Sequence, residues 1–334
     1  MSSKRVKKCL LAILLFIIII LLGSGFIQRH RGNTIKILIV GDSIGEGAGA
    51  SDPSLKWYKY LIPYMKDTYG VNLDITNISM GGNTSYAGYA RVMMLDDKEN
   101  YDLAIVCYGE NDKSEDFSLY YESILWAIRY KFPDSKMITI LESSQRDYTA
   151  KIKVIQDLSE HYDAYVADTI AAFRNSGRAY EELCDDGTHP NDEGQRVYYE
   201  TVKPLVSELY KKSEQTTKQE IEAVNKELIN YEKFRYYSLN EFKKIDEYTY
   251  ELESVAAGGI LGIDYTCVKG ESRISIYIND QNLCDKQLVW ENDFTLRFIE
   301  EVTDKVETDS KLRLVFSSKE QAKAFHGIII NTRI

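Results

Sequence analysis

The chain has 334 residues, of which 44% are hydrophobic and 28% are charged. This is the composition of a folded protein of about two domains, and it excludes collagen-like, low-complexity and disordered classes. The first 31 residues carry six basic and no acidic side chains, so the formal net charge of −10 leaves −16 for the remainder. The strong negative charge of the chain after residue 31 argues against nucleic acid or anionic lipid as a partner, and it is compatible with neutral glycans.

The chain begins with an apolar run over residues 9–27 that is about as long as a membrane-spanning helix. Basic residues are concentrated before it, which predicts a cytoplasmic tail over 1–8, a transmembrane anchor over 9–27 and a short linker over 28–34. Everything that follows is then expected outside the cytoplasm. A cleaved signal peptide, which would leave a secreted protein, is the alternative, although the segment has no A-x-A cleavage site.

Residues 35–210 alternate between strand-like and helix-like patterns. The predicted strands are "TIKILIVGDS", "NLDITNIS", "YDLAIVCYG", "SKMITILES" and "AYVADT". The predicted helices are "LKWYKYLIPYMKDTY", "DFSLYYESILWAIRYKF", "YTAKIKVIQDLSEHY" and "NDEGQRVYYETVKPLVSELYKK". This alternation predicts an α/β domain, a three-layer sandwich in which helices cover both faces of a parallel sheet.

The second half of the chain changes its pattern twice. Residues 211–245 are charged and free of glycine and proline, which predicts a helical connector. Residues 246–334 contain seven short segments of period two, which predict a small all-β, jelly-roll-like sandwich domain. "NDQN" in this region resembles a hairpin turn. Cys267 and Cys284 lie on predicted neighbouring strands and would pair if the compartment oxidises thiols.

The first candidate for chemistry is Ser43, which lies just past the end of the first predicted strand in Gly41-Asp42-Ser43. Parallel α/β sheets place their sites outside the carboxyl ends of the strands. A serine there either caps the following turn or acts as a nucleophile, and a nucleophile needs a base and donors for an oxyanion.

The best candidate base is His189, one of only four histidines, in the loop "DDGTHPN". Asp186 precedes it by three residues, which lets the carboxylate reach the imidazole Nδ1 and fix its tautomer. Asp185 is the alternative orienting carboxylate. Asn111 and Gly82 follow other predicted strands and are candidate oxyanion donors, although an Asx turn and a plain turn would explain them equally well one at a time.

Together these residues form four ordered blocks, "GDSIGEG", "GGNTS", "GEND" and "DGTHPN", that resemble the SGNH (GDSL-type) hydrolases. The resemblance covers residues 36 to about 210 and implies a flavodoxin-like sheet. It also implies a Ser43–His189–Asp186 triad and an oxyanion hole formed by the N–H groups of Ser43 and Gly82 with the Asn111 amide.

This chain departs from the family in its second block. The family often has Gly-Asp-(Ser/Thr) there, whereas this sequence has Gly82-Asn83-Thr84 behind a further glycine, so Gly81 is an alternative donor. No cofactor motif and no metal-ligand spacing is visible, and none is expected.

The resemblance implies ester hydrolysis through an acyl-enzyme. With the anchor and the β-sandwich, it predicts an acetyl esterase acting on an O-acetylated polysaccharide outside the cell, with Trp290 either a sugar-stacking face or a core residue. One alternative is an O-acyltransferase whose acyl donor comes from a separate membrane partner. The others are a lipase or thioesterase with a long apolar groove and a non-catalytic glycan-binding protein.

Overall fold

The computed structural model describes residues 34–113, 115–212, 221–225, 228–255, 258–307 and 309–333. The predicted anchor 9–27, the tail 1–8 and nearly all of the linker lie outside these ranges. Among the residues that are described, no helix is both long enough and apolar enough to cross a bilayer.

A five-stranded parallel sheet lies at the centre of the first half of the chain, in the order β2-β1-β3-β4-β5. Its strands are β1 (Thr34–Gly41), β2 (Asn72–Asn77), β3 (Leu103–Cys107), β4 (Lys136–Leu141) and β5 (Tyr165–Asp168). All five residues of β3 are buried, because helices cover both faces of the sheet. The predicted strands are therefore confirmed.

Helices pack on both faces of this sheet and complete the predicted three layers. They are α1 (Ser43–Glu46), α2 (Leu61–Tyr69), α3 (Ser85–Met93), α4 (Phe117–Lys131), α5 (Ala150–His161), α6 (Thr169–Asn175) and α7 (Asp192–Lys211). One apolar cluster joins the sheet to α3, α4 and α5, and a second joins its opposite face to α2 and α7.

Helix α3 is absent from the sequence prediction. Seven of its nine residues are buried, so it lacks the polar face that makes an amphipathic helix recognisable.

The second half of the chain forms two antiparallel sheets, in the orders β11-β10-β13-β8-β7 and β12-β9-β14-β6. The strands are β6 (Ile229–Ser238), β7 (Lys243–Lys244), β8 (Thr249–Leu252), β9 (Gly259–Thr266), β10 (Gly270–Ile278), β11 (Gln281–Trp290), β12 (Arg297–Val306), β13 (Leu312–Phe316) and β14 (Phe325–Arg333). A short helix, α8 (Lys319–Lys323), precedes β14. Apolar side chains of both sheets form one core.

All seven predicted segments of this domain form strands, and the expected hairpin turn is present. Asn279 and Asp280 join β10 to β11 and have φ values of 48° and 66°. A two-residue hairpin turn of type I′ requires positive φ values at both of these positions.

A helical connector is predicted for residues 211–245, and this prediction is wrong for the second half of the segment. Residues 229–238 form β6, which pairs antiparallel with β14. The aromatic residues here favour a strand, and they alternate: Phe234 and Tyr236 pack toward the helices, whereas Tyr237 packs toward the core between the two sheets. The many charges obscured this alternation in the sequence.

The expectation for the cysteines also changes. Cys267 and Cys284 are both free in the structure, and they lie in different sheets: Cys267 follows β9, and Cys284 lies on β11.

The four-stranded sheet is buried on both faces and joins the two domains. On β9, Leu261 and Ile263 point into the core between the sheets, whereas Ile260 packs in the cluster that contains α3 and α4. Ile299 of β12 and Ile329 of β14 join the same cluster. The β domain therefore lies against helix α3, which starts at the end of the "GGNTS" block.

Candidate active site

The candidate site lies at the carboxyl edge of the parallel sheet, where Ser43 is the first residue of α1. Asp42 caps this short helix by accepting a hydrogen bond of 2.9 Å from the Ile44 N–H. Because Gly41 ends β1 and Gly47 ends the helix with a φ of 81°, the chain turns sharply on both sides of Ser43. The cap of this helix is therefore Asp42, and the Ser43 hydroxyl is not used for capping.

His189 reaches the serine from the loop that precedes α7. Its Nε2 lies 2.9 Å from Ser43 Oγ, and its Nδ1 lies 2.6 Å from Asp186 Oδ2. With the Nδ1 proton donated to Asp186, Nε2 keeps a lone pair that can accept the proton of the serine hydroxyl.

Asp186 is fixed by its own loop and remains ionised. Its Oδ1 accepts hydrogen bonds from the backbone N–H groups of Thr188 and His189, at 2.9 and 2.7 Å. Burial acts to raise the pKa of Asp186, but the hydrogen bonds from His189 and these N–H groups lower that pKa to about 2. The alternative carboxylate, Asp185, instead accepts a 2.6 Å hydrogen bond from Asn191 Nδ2.

The glycine block forms a tight turn over residues 80–83, which we call the glycine turn. The Asn83 N–H donates to the Met80 carbonyl at 3.4 Å, and Gly82 has a φ of 74° at the position that favours glycine. Gly81 is buried and its N–H donates to the Glu46 carboxylate at 3.2 Å, whereas Gly82 is exposed. The geometry therefore favours Gly82 over Gly81 as the donor toward a ligand.

Asn111 lies between the serine turn and the glycine turn. Its Nδ2 donates to Asp42 Oδ2 at 3.3 Å and to the Asn83 carbonyl oxygen at 3.1 Å. The structure thus brings together all five residues that the sequence singled out: Ser43, Gly82, Asn111, Asp186 and His189.

A cluster of buried carboxyl groups beneath the site was not predicted. Asp42 and Glu142 are fully buried, and Asp112 and Glu110 lie close to them. Burial, together with the Asp112 and Glu110 carboxylates, raises the pKa of Asp42 to about 7, against the hydrogen bond from the Ile44 N–H. Burial and then Asp42 raise the pKa of Glu142 well above its usual range. Glu142 directly follows β4, and its position at the carboxyl end of a strand is the feature of the sequence that could have identified it.

The β domain contributes to the surroundings of the site, which the sequence did not indicate. A Cβ atom at Gly81 would lie 3.6 Å from Leu296 Cδ2 and equally far from Ser43 Cβ. A Cβ atom at Gly82 would lie 2.9 Å from Phe298 Cε1. Phe298 in turn contacts Trp290 at a ring-centroid distance of 6.0 Å. Leu296 and Phe298 therefore border the glycine turn.

The arrangement is suited to acyl transfer through a serine nucleophile, since it combines a hydroxyl, a base, an orienting carboxylate and amide donors. Among the described residues, no group of three or more histidine, cysteine or acidic side chains could hold a metal ion.

Comparison with known proteins finds esterases that are similar in sequence or in fold. Residues 39–197 match the model of the GDSL-like Lipase/Acylhydrolase family. An arylesterase of Vibrio mimicus is 25% identical over 174 residues, which cover 48% of this chain and 82% of that protein. A two-domain esterase (CEX) active on acetylated mannans, crystallised alone and with mannopentaose, is 17% identical with a TM-score of 0.68 and covers 94% of this chain and 95% of that chain. The likeness to CEX concerns the fold, and it extends over both domains. Residues 39–197 are therefore similar to the GDSL-like Lipase/Acylhydrolase family in sequence, and the fold of both domains is similar to that of a two-domain esterase.

Proposed function

We propose that this protein is a serine esterase that removes acetyl groups from a polysaccharide through an acyl-enzyme. The observation that carries the proposal is the continuous hydrogen-bond chain from Ser43 Oγ through His189 to Asp186. A chain of this kind serves to deprotonate a hydroxyl at neutral pH.

In the first step Ser43 Oγ attacks the ester carbonyl while His189 Nε2 takes the hydroxyl proton. Asp186 stays ionised and stabilises the imidazolium that forms. The negative oxygen of the tetrahedral intermediate is held by the N–H groups of Ser43 and Gly82 and by the Asn111 amide, which gives up its 3.3 Å hydrogen bond to Asp42 Oδ2 to reach it. His189 then returns its proton to the leaving alcohol, which departs from the acylated Ser43.

In the second step a water molecule replaces the alcohol. His189 accepts a proton from this water as it attacks the acyl-enzyme, and the same donors hold the second oxyanion. Collapse of the intermediate releases the acid and returns the proton to Ser43 Oγ.

Leu296 supports acetyl as the acyl group. Its methyl carbon and Ser43 Cβ both lie 3.6 Å from the Cβ position of Gly81, so this apolar side chain borders the glycine turn on the side of Ser43. A wall at this position fits a methyl group, whereas a lipase or thioesterase needs an open apolar groove.

Two observations support a carbohydrate as the alcohol component. CEX, which shares both domains, is active on acetylated mannans. Trp290 is half-buried in this chain and contacts Phe294, which is 58% exposed, at a ring-centroid distance of 5.5 Å. These rings continue from Phe298 at the glycine turn toward the surface, and aromatic faces of this kind stack on sugars. Trp290 also packs in part against the core between the sheets, so both of its sequence interpretations have support.

We propose a place outside the cytoplasm, with residues 9–27 as a membrane anchor, from the apolar run and its basic flank. An anchored esterase would act on polymers at the cell surface.

The function can be tested on the full-length chain with acetylated mannan, 4-nitrophenyl acetate and 4-nitrophenyl octanoate, with and without acceptor sugar. We expect acetate release from the polymer, a preference for acetate over octanoate of at least tenfold, and no activity in Ser43→Ala. Leu296→Ala should reduce the preference for acetate over octanoate, because the smaller side chain leaves room for a longer acyl chain. Transfer to the acceptor sugar in excess of hydrolysis would instead identify an acyltransferase, and a preference for octanoate would contradict the acetyl assignment.

A further inference from the structure

The side chain of Asn83 connects the glycine turn to the β domain. It is 2% exposed, its Nδ2 donates to the Arg297 carbonyl at 2.8 Å, and its Oδ1 accepts from the Ile299 N–H at 3.0 Å. Strand β12 is the edge strand of its sheet, and these two groups belong to alternate residues of that strand. One amide side chain therefore takes the place that a neighbouring strand would occupy and satisfies a donor and an acceptor that would otherwise be unpaired and buried.

The same residue holds two of the three candidate oxyanion donors, the Gly82 N–H and the Asn111 amide. Its Nδ2 also donates to the Gly81 carbonyl at 3.0 Å, which closes the turn that carries Gly82. Its backbone carbonyl accepts the 3.1 Å hydrogen bond from Asn111 Nδ2. Because Gly82 follows Gly81 directly and also lies against Phe298 of β12, its N–H can rotate only if these contacts break.

Only an amide can make this set of bonds. An aspartate at position 83, the residue that the family often has after this glycine, could accept from the Ile299 N–H. Its second oxygen would face the carbonyl oxygens of Gly81 and Arg297, and an ionised carboxylate has no proton to donate to either. Asparagine in place of the family's aspartate at position 83 is thus explained by the hydrogen bonds that this residue makes to β12.

We propose that Asn83 is a positioning residue that fastens the glycine turn to β12, so that the β domain holds the oxyanion donors in place. The inference rests on the proposed esterase function. It makes the β domain part of the catalytic unit, because the orientation of the Gly82 N–H and of the Asn111 amide depends on a strand more than 200 residues away along the chain.

The test compares Asn83→Asp and Asn83→Ala with Tyr89→Phe in the full-length chain. Tyr89→Phe is a matched control, since the Tyr89 hydroxyl donates across the same domain interface to Asn331 Oδ1 at 3.2 Å, away from the glycine turn. We expect kcat for 4-nitrophenyl acetate to fall at least about tenfold in both Asn83 variants, with KM changed less than about threefold. Backbone amide exchange over residues 80–84 should become faster in them, and Tyr89→Phe should change neither quantity.

A purely structural role would lower the melting temperature in all three variants without this difference in kcat. Folded Asn83 variants with a kcat within twofold of the active wild type would overturn the inference alone. A wild-type chain with no turnover of any ester would overturn the proposed function, and the inference with it.

Discussion

At the scale of single residues, the Ser43 hydroxyl lies 2.9 Å from His189 Nε2, and Asp186 lies on the other side of the imidazole. The sequence predicted these residues because each lies in a short polar block at a strand end or just before a helix. The blocks could be placed at one sheet edge because the carboxyl ends of parallel strands converge there. The preference for Asp186 over Asp185 and for Gly82 over Gly81 needed the hydrogen bonds of the folded chain, since adjacent residues share one sequence context.

We expect Asn111→Ala to lower kcat for 4-nitrophenyl acetate by about two to three decades, as loss of one oxyanion donor costs about 3 kcal/mol in the transition state. Lys113→Ala, an exposed residue of the same loop, is the matched control and should retain wild-type turnover. A kcat for Asn111→Ala within threefold of wild type would remove this amide from the mechanism.

We expect the free energy of unfolding of Asp42→Asn, relative to wild type, to be higher at pH 8 than at pH 5. The pKa of Asp42 is about 7 in the folded chain and about 3.9 in an unfolded one, so between these values only the folded state holds the proton. The free energy of unfolding therefore falls as pH rises through this window, by about 1.4 kcal/mol per pH unit, and asparagine removes this loss. The low pKa of Asp186 acts in the opposite sense, but only as pH falls below about 4.

Urea unfolding of wild type and Asp42→Asn at both pH values measures this difference. An equal difference in free energy of unfolding at pH 5 and pH 8 would show that Asp42 does not titrate in that window.

At the scale of secondary-structure elements, the parallel strands were predictable because apolar runs such as β3 are bounded by glycine and polar residues. Helix α3 and strand β6 were not. Both owe their stability to contacts with residues far away in the sequence. Helix α3 is buried on nearly all sides, and β6 pairs with β14 inside the β domain, so local periodicity carried little information about either.

We expect Gly88→Ala to lower the free energy of unfolding by up to about 2 kcal/mol. Gly88 lies in α3, and a Cβ atom there would be 2.5 Å from a Tyr108 ring carbon and 2.8 Å from Ile124 Cδ1. Overpacking of this kind costs about 1–3 kcal/mol and exceeds the gain of about 1 kcal/mol in helix propensity. Urea unfolding measures the change, and Glu160→Ala on the exposed face of α5 should change it by less than about 0.5 kcal/mol. Unchanged or increased stability of Gly88→Ala would contradict the packing between α3 and α4.

At the scale of the whole molecule, the two domains share one apolar cluster and meet at the glycine turn. The sequence predicted a hydrolase domain and a β-sandwich but did not predict that they touch. Residues 83 and 297 lie on segments whose sequence patterns each predict a local structure and contain nothing that points to a partner in the other domain. The contact became visible only in the fold, where the strand edge of one domain faces a turn of the other.

The central claim is that Ser43 is the nucleophile of this unit, and covalent labelling tests it most directly. The full-length chain is treated with a fluorophosphonate, and the modified residue is located by peptide mass spectrometry. We predict one adduct, on Ser43, that is lost in Ser43→Ala and forms far more slowly in His189→Ala. An adduct on another residue, or labelling that persists in Ser43→Ala, would contradict the account.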